Sequence, residues 1–157
     1  MKTLIIMRHA KTEEGKANQR DYDRELIYKG LKDAAAMGLW LRKKYSVVDE
    51  ILCSAAKRTA HTATLVKEIC GGELLLDEAL YHADANALLS HIHQAKPRTK
   101  VLMVVGHNPA VSNLATYLSH KLIELKPSDV AVFELSNNLW SEKLIIDSHK
   151  HHSEYYN

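Results

Sequence analysis

The chain has 157 residues, of which 46% are hydrophobic and 25% are charged, as in globular proteins with a full core. Its formal net charge of +2 is too small to favour nucleic acid or an anionic membrane as a partner. The apolar runs are far shorter than the roughly 20 residues of a membrane span, and the N-terminus lacks a signal-peptide layout. We therefore expect one cytoplasmic domain over residues 1–157, with Cys53 and Cys70 as free thiols.

The first half of the chain alternates between apolar runs of strand length and segments with helical spacing. The apolar run at residues 4–7 predicts a buried strand, and Arg8 and His9 follow at its carboxyl end. The polar residues 11–22 predict a loop directly after them. The next predicted elements are a helix over about residues 26–45, a strand over residues 50–54 and a helix over residues 55–70.

The second half continues this alternation. Residues 101–105 form a continuous apolar run rich in β-branched side chains, which predicts a central parallel strand. The other predicted elements are a short strand at residues 74–76, helices at about 85–92 and 111–118, and two late edge or hairpin strands at 130–135 and 144–146, joined around Asn137-Asn138. We interpret His149, His151 and His152 as part of a frayed terminus. The whole pattern predicts an α/β fold with three layers, in which helices cover both faces of a mainly parallel central sheet.

Chemically active side chains follow three of the predicted strands. The first strand leads into Arg8 and His9, the second ends at Ser54 with Arg58 four residues later, and residues 101–105 lead to His107. Because parallel strands place their carboxyl ends at one edge of the sheet, where ligands bind, we expect these residues to converge there. We interpret Ser54 as a hydrogen-bonding residue, since the sequence around it lacks the nucleophile-elbow pattern.

Two arginines and two histidines without a matching set of cysteine or carboxylate ligands indicate an oxyanion site and no metal. Arginine binds phosphate oxygens with two parallel N–H groups, and a phosphoryl group carries close to two negative charges. Neighbouring guanidinium groups disfavour an imidazolium, so His9 is expected to be a neutral nucleophile whose second ring nitrogen donates a hydrogen bond. A protonated His107 would bind a non-bridging oxygen.

These segments resemble the motifs of the histidine phosphatase superfamily. Arg8-His9 resembles its Arg-His-Gly signature with Ala10 in place of glycine, Ser54-Ala-Ala-Lys-Arg58 with Thr62-Ala63 resembles its second motif, and Gly106-His107-Asn108-Pro109 matches its third. Asp21-Tyr-Asp23-Arg24-Glu-Leu26 followed by Gly30 is similar to the short SixA-type branch, the phosphohistidine phosphatases.

The resemblance implies a phosphoglycerate mutase-like fold and a metal-independent phosphatase without a cofactor. His9 would accept the phosphoryl group and form a phosphohistidine intermediate that water hydrolyses. Arg8, Arg58 and His107 would hold the phosphate, and Arg24 would reach it from the loop. The substrate would be a phosphorylated protein or a small phosphorylated compound. The sequence predicts no oligomeric state.

The pattern departs from the family in two places. Ala10 puts a Cβ beside the proposed nucleophile, and the carboxylic acid that larger members use as proton donor has no clear equivalent. Asp77, Glu78 and Asp84 lie near the right segment without its usual context. Since an imidazole bonded to phosphorus leaves readily once its ring is protonated, a site without a dedicated acid suits phosphohistidine or another phosphoramidate.

Two alternatives stay open at this point. The first is a general phosphomonoesterase with Asp77, Glu78 or Asp84 as the acid. The second is a module that binds phosphate or a phosphoprotein and has lost turnover.

Overall fold

The computed structural model describes residues 1–45 and 47–154, and a six-stranded sheet forms its middle layer. The strands are β1 (Lys2–Arg8), β2 (Glu50–Ser54), β3 (Glu73–Asp77), β4 (Val101–Gly106), β5 (Val130–Leu135) and β6 (Ile146–His152). The helices are α1 (Tyr28–Tyr45), α2 (Lys57–Cys70), α3 (Ala85–His93) and α4 (Ala110–Ser119). Short 3₁₀ turns lie at Asp21–Asp23 and Glu78–Leu80.

The strand order is β3-β2-β4-β1-β5-β6, and the first four of these strands are mutually parallel. β5 and β6 add antiparallel pairs at one side. Residues 101–105 were predicted as a central parallel strand, and β4 does lie between β2 and β1. The α/β prediction with a mainly parallel sheet is therefore confirmed.

The side chains of β1 alternate between two separate cores. Leu4 and Ile6 pack in one cluster with residues of α3 and α4. Ile5 and Met7 pack in the other with residues of α1 and α2. Successive strand residues point to opposite faces, so a strand that is apolar throughout is covered on both sides. This confirms that helices lie on both faces of the sheet.

The C-terminal strand is the main difference from the sequence prediction. A strand was expected at residues 144–146 with frayed histidines behind it, whereas β6 begins at Ile146 and includes all three histidines. The frayed-terminus interpretation is thus wrong for residues 149–152. His152 stacks on Trp40 at a ring-centroid distance of 3.9 Å, and His151 lies 2.9 Å from Asp129. An edge strand can be this polar because only one side of it pairs with the sheet, and here ring stacking and charge replace apolar alternation.

Among the described residues, no helix combines the length and the hydropathy that a crossing of the lipid bilayer requires.

The loop after β1 passes unusually close to the start of α1. Ile27 donates a backbone hydrogen bond to the Lys11 carbonyl at 3.1 Å. A Cβ added to Gly30 would lie 2.2 Å from that same carbonyl oxygen. Only glycine fits this position, because the obstacle is backbone and not a flexible side chain. Gly30 thereby fixes the path of the chain just beyond His9.

We predict that Gly30→Ala destabilises the fold by about 2 kcal/mol, since overpacking against backbone outweighs the helix propensity gained by alanine. Chemical denaturation measures the change. Gly15→Ala is the matched control, because its added Cβ would meet only the Arg24 side chain, at 3.9 Å. Equal stability of the two variants would contradict the close approach at Gly30.

Candidate active site

The carboxyl ends of β1, β2 and β4 bring together the residues that the sequence singled out. Arg8 and Gly106 are paired in the parallel register of β1 and β4, so His9 and His107 leave two adjacent strands side by side. Their ring centroids lie 5.5 Å apart. Arg58 is the second residue of α2, which begins just after β2. We call Arg8, His9, Arg58 and His107 the strand-end cluster.

His9 is buried, with 7% of its surface exposed. Its Nδ1 lies 2.7 Å from the carbonyl oxygen of Ala10, which can only accept a hydrogen bond. Nδ1 therefore carries the proton, and in the neutral ring Nε2 keeps its lone pair. Ala10 does not have a positive φ, so alanine in the usual glycine position causes no strain of this kind.

His107 contacts Ser54 through Nε2, at 2.8 Å from the hydroxyl oxygen. The same hydroxyl accepts a hydrogen bond from the backbone N–H of Ala56 at 3.4 Å. The other ring nitrogen of His107, Nδ1, is buried and has no partner among the described residues. Ser54 is the strand-end hydrogen-bonding residue that the sequence suggested, and its partner is the ring of His107.

Arg58 is held by Asp21, a residue that sequence reasoning did not place in the site. Arg58 Nη1 donates to the backbone oxygen of Asp21 at 2.6 Å, and Nη2 donates to its carboxylate at 2.9 Å. Arg58 is only 6% exposed, and its Nε has no partner within the described chain. Asp21 was visible in the sequence only as part of the SixA-like segment, since a carboxylate in a polar loop is otherwise unremarkable.

Asp21 also joins the loop to two further residues. The hydroxyl of Tyr81 donates to its carboxylate at 2.5 Å, and Arg24 Nη1 donates to it at 3.1 Å. These bonds and the one from Arg58 hold the pKa of Asp21 well below its usual range, with the Tyr81 hydrogen bond as the largest contribution. Tyr81 was also missed, and its ring lies edge-on to His107 at 5.4 Å.

Arg24 stabilises the loop through hydrogen bonds to other loop residues. Its Nη2 donates to the hydroxyl of Thr12 at 2.6 Å, and its Nε donates to the backbone oxygen of Glu13 at 3.1 Å. Arg24 reaches the cluster through Asp21, which it shares with Arg58. A direct contact between Arg24 and phosphate stays a prediction.

Thr62 fixes the spacing between β1 and α2. Its hydroxyl accepts from the backbone N–H of Ala10 at 3.0 Å and donates to the carbonyl of Arg58 at 2.7 Å. Its side chain is fully buried. On the opposite side, Arg8 Nη1 and Asn108 Nδ2 both donate to the carbonyl of Leu125, at 3.1 and 2.9 Å. These contacts fix the cluster from both sides of the sheet edge.

Burial and positive charge keep both histidines neutral. Burial lowers the pKa of His9 to about 3, and the nearby His107, Arg58 and Arg8 act in the same direction. Burial also lowers the pKa of His107 to about 4, with further contributions from Arg58 and Arg8. At neutral pH, His9 therefore has its nucleophilic lone pair available.

The three carboxylates proposed as proton donors have different environments. Asp77 accepts from the backbone N–H of Ala79 and lies 3.3 Å from His91. Asp84 caps the start of α3 by accepting from the N–H of Ala87 at 2.8 Å. Glu78 is exposed and lines a cavity that also includes Asp21 and Tyr81.

Comparison with known proteins agrees with this geometry. The family model of the histidine phosphatase superfamily, branch 1, matches residues 4–87, which include Arg8, His9 and Arg58. The chain belongs to this superfamily. An uncharacterized protein of Mycobacterium tuberculosis is 35% identical over 130 residues, covering 82% of this chain and 77% of its own. An uncharacterized chloroplastic protein of Arabidopsis thaliana is 28% identical over 153 residues, covering 88% and 69%.

Solved structures show the same fold as this histidine phosphatase. An Agrobacterium tumefaciens protein provisionally named phosphohistidine phosphatase SixA superimposes with a TM-score of 0.80 at 22% identity, covering 95% of this chain and 97% of that one. The protein histidine phosphatase SixA complexed with tungstate gives 0.79 at 19% identity, covering 94% and 95%. A mycobacterial glucosyl-3-phosphoglycerate phosphatase complexed with VO₃ gives 0.69 at 16% identity, covering 94% and 98%. The predicted resemblance in fold is confirmed.

The buried His9 and the half-buried His107 of this histidine phosphatase make its stability depend on pH. The unfolded chain binds protons on these residues below about pH 6.5, whereas His9 in the folded protein does so only near pH 3. The free energy of unfolding therefore falls as pH decreases below about 6.5. We predict that His9→Asn reduces the fall between pH 7 and pH 5 by up to about 2 kcal/mol.

Chemical denaturation at the two pH values measures this difference. His61→Asn, which removes an exposed imidazole from α2, is the matched control. If His9→Asn and the control lose the same stability on acidification, His9 is not buried in its neutral form.

Proposed function

We propose that this protein is a phosphohistidine phosphatase that uses His9 as its nucleophile and forms a phosphohistidine intermediate. Its substrate would be phosphohistidine in a protein or another phosphoramidate. One observation carries the proposal. A buried, neutral imidazole lies beside the buried Arg58 and the half-buried His107, and His9 Nε2, Arg58 Nε and His107 Nδ1 have no partner among the described residues.

The unpartnered nitrogen of Arg58 supports an anion site. A guanidinium carries five N–H groups, and Asp21 accepts from one on each terminal nitrogen. The Nε–H and a second N–H of Nη2 remain on one edge of the guanidinium, as the fork that binds two phosphate oxygens. A buried donor without a partner costs about 1–3 kcal/mol. A phosphate oxygen at Nε would remove this cost.

His107 supports the same ligand. The Ser54 hydroxyl already accepts from Ala56, so its proton is available to donate to His107 Nε2. In that arrangement the proton of the neutral ring resides on Nδ1, which can donate to a phosphate oxygen. A bound phosphoryl group would also favour the imidazolium, because its negative charge offsets that of the arginines. Either form of His107 offers a donor to the phosphate.

The side chains supply a complete reaction without a metal ligand. His9 Nε2 attacks phosphorus, the P–His9 bond forms, and the bond from phosphorus to the leaving nitrogen breaks. The leaving imidazole keeps the electron pair, and a proton on its other ring nitrogen makes it neutral. Water then attacks the phosphorus on His9, the P–Nε2 bond breaks and returns its electron pair to His9, and the protons of water leave with inorganic phosphate or pass to solvent. Arg8, Arg58 and His107 would stabilise the charge on the phosphoryl oxygens in both steps.

The placement of the acidic residues favours phosphoramidates over alkyl phosphates. An alcohol leaves poorly unless an acid protonates it, but Asp77 and Asp84 are engaged in capping backbone N–H groups. An imidazole leaving group takes its proton from water beforehand. The names of two structural neighbours, phosphohistidine phosphatase SixA and protein histidine phosphatase SixA, agree with this choice.

We predict that His9→Ala abolishes turnover and that Arg58→Ala lowers both phosphate affinity and turnover, the latter by roughly 10²-fold. Incubation with a radioactive phosphohistidine substrate, followed by rapid quench and peptide mapping, should place the label on His9. Lys57→Ala is the matched control, because Lys57 adjoins Arg58 but forms an exposed ion pair with Glu25. The control should keep full activity.

Two results would refute the mechanism. A fully active His9→Ala protein would exclude His9 as the nucleophile. Phosphate binding without label or turnover would instead identify a non-catalytic binding module.

We further predict that phosphohistidine peptide and phosphoramidate are hydrolysed at least about tenfold faster than alkyl phosphomonoesters, measured as kcat/KM. This follows from the lack of a dedicated acid for an alcohol leaving group. Equal rates on both classes would favour the general phosphomonoesterase, with Glu78 as the first candidate for the acid.

A further inference from the structure

A cavity of about 630 Å³ opens beside the strand-end cluster. The residues that line it are Arg20, Asp21, Tyr22, Glu78, Tyr81 and His82. Two of them also contact the cluster, since Asp21 binds Arg58 and the Tyr81 ring lies 5.4 Å from that of His107. The cavity therefore adjoins the position that a phosphoryl group would occupy between Arg58 and His107, and a group bonded to that phosphorus has room there.

Aromatic rings form one wall of this cavity. Tyr22 and Tyr81 pack edge to face, with centroids 5.0 Å apart and an interplanar angle of 88°. His82 lies against Tyr81 at 4.3 Å. Aromatic walls bind flat rings by stacking and bind cations through their π faces. The guanidiniums of Arg20 and Arg58 already lie over the rings of Tyr22 and Tyr81, at 5.7 and 5.9 Å from the centroids. The wall thus accepts planar cations, and it favours a flat ring, above all a cationic one.

The charged side chains that line the cavity also favour a cation. The carboxylate of Asp21 pairs with two guanidiniums, those of Arg24 and Arg58, and the excess positive charge belongs to Arg58, which adjoins the phosphoryl position. The guanidinium of Arg20 is balanced by Asp23, at 2.8 Å. The carboxylate of Glu78 has no hydrogen-bond or ion-pair partner within the described part of the chain, and Glu78 lines the same cavity. A cation bound there would therefore meet a carboxylate that no guanidinium already pairs.

We propose that this cavity is a leaving-group subsite that receives the protonated imidazole ring of a phosphohistidine side chain. The proposal rests on the proposed function and adds the residues that select its substrate. Tyr22 and Tyr81 bind the ring, while Glu78 favours the form that carries a proton on the nitrogen not bonded to phosphorus. When His9 attacks, the P–N bond breaks, its electron pair stays on the leaving nitrogen, and a neutral imidazole departs.

The subsite would select among substrates according to their leaving groups. An alcohol from an alkyl phosphate is neither flat nor cationic, so it gains nothing from the tyrosines or from Glu78. The ammonia released from phosphoramidate is too small to reach the wall. Para-nitrophenyl phosphate has a flat leaving group without positive charge, so it tests the aromatic contribution separately from that of the carboxylate.

Glu78→Gln and Tyr22→Leu test the subsite, because neither residue contacts the strand-end cluster in the described contacts. We expect Glu78→Gln to lower kcat/KM for a histidine-phosphorylated peptide by roughly three- to fivefold, the range of a partly exposed charge pair. The kcat/KM values for para-nitrophenyl phosphate and phosphoramidate should not change. Tyr22→Leu should lower kcat/KM by about fivefold for the peptide and for para-nitrophenyl phosphate, and it should leave kcat/KM for phosphoramidate unchanged.

Matched controls are Glu68→Gln on α2 and Tyr117→Leu on α4, two exposed positions outside this cavity. Test variants that behave like their controls on all three substrates would overturn the subsite. So would a Glu78→Gln protein that loses alkyl phosphate turnover more than peptide turnover, because Glu78 would then be a proton donor. Failure of the proposed function would give a different result. Wild-type protein that hydrolyses none of the substrates and shows no label on His9 refutes the proposed function itself.

Discussion

The parallel register of β1 and β4 is the constraint on which the site depends. Arg8 pairs with Gly106, so His9 and His107 are the next residues on two neighbouring strands. Residues 4–7 of β1 and 101–105 of β4 are apolar and covered on both faces, which fixes the register strongly, because a shift by one residue would exchange the two cores. The ring separation of 5.5 Å follows from this pairing and needs no special loop. The core of the protein thus sets the geometry of the histidines.

The same arrangement creates an electrostatic problem that Asp21 relieves in part. Two arginines lie at the sheet edge, and Arg58 is almost fully buried there. A buried cation without a counter-charge is strongly destabilising. Asp21 supplies this counter-charge at the terminal nitrogens of Arg58, Nη1 and Nη2, and leaves Nε without a partner in the described chain. The protein is therefore stable without a ligand while it keeps donors for an anion, and the histidines remain neutral because of their burial and, to a smaller extent, their positive surroundings.

The contrast between what the sequence predicted and what it missed has a physical origin. His9, Arg58 and His107 could be predicted because strand ends in a parallel sheet converge whatever the details of the loops. Asp21 and Tyr81 could not, since Asp21 meets Arg58 across 37 residues of chain and Tyr81 meets Asp21 across 60, both through loop and turn geometry. The strand expected at residues 144–146 was placed too early, and the extent of β6 was missed for another reason. Its sequence has neither apolar alternation nor β-branched enrichment, and its register depends on tertiary contacts such as the stacking of His152 on Trp40.

These long-range contacts also determine how the site responds to change. Asp21 bonds with the loop residue Arg24, with Arg58 on α2 and with Tyr81, so the carboxylate couples three separate segments. Groups in one hydrogen-bond network do not contribute independently. Loss of Tyr81 would alter Arg58 through Asp21, and it would also remove the ring that lies 5.9 Å from the Arg58 guanidinium. Phosphate affinity and leaving-group selection are therefore physically linked in this protein. Tyr22 and Glu78 form no hydrogen bond with the Asp21 carboxylate, so substitutions there can change leaving-group selection without changing phosphate affinity.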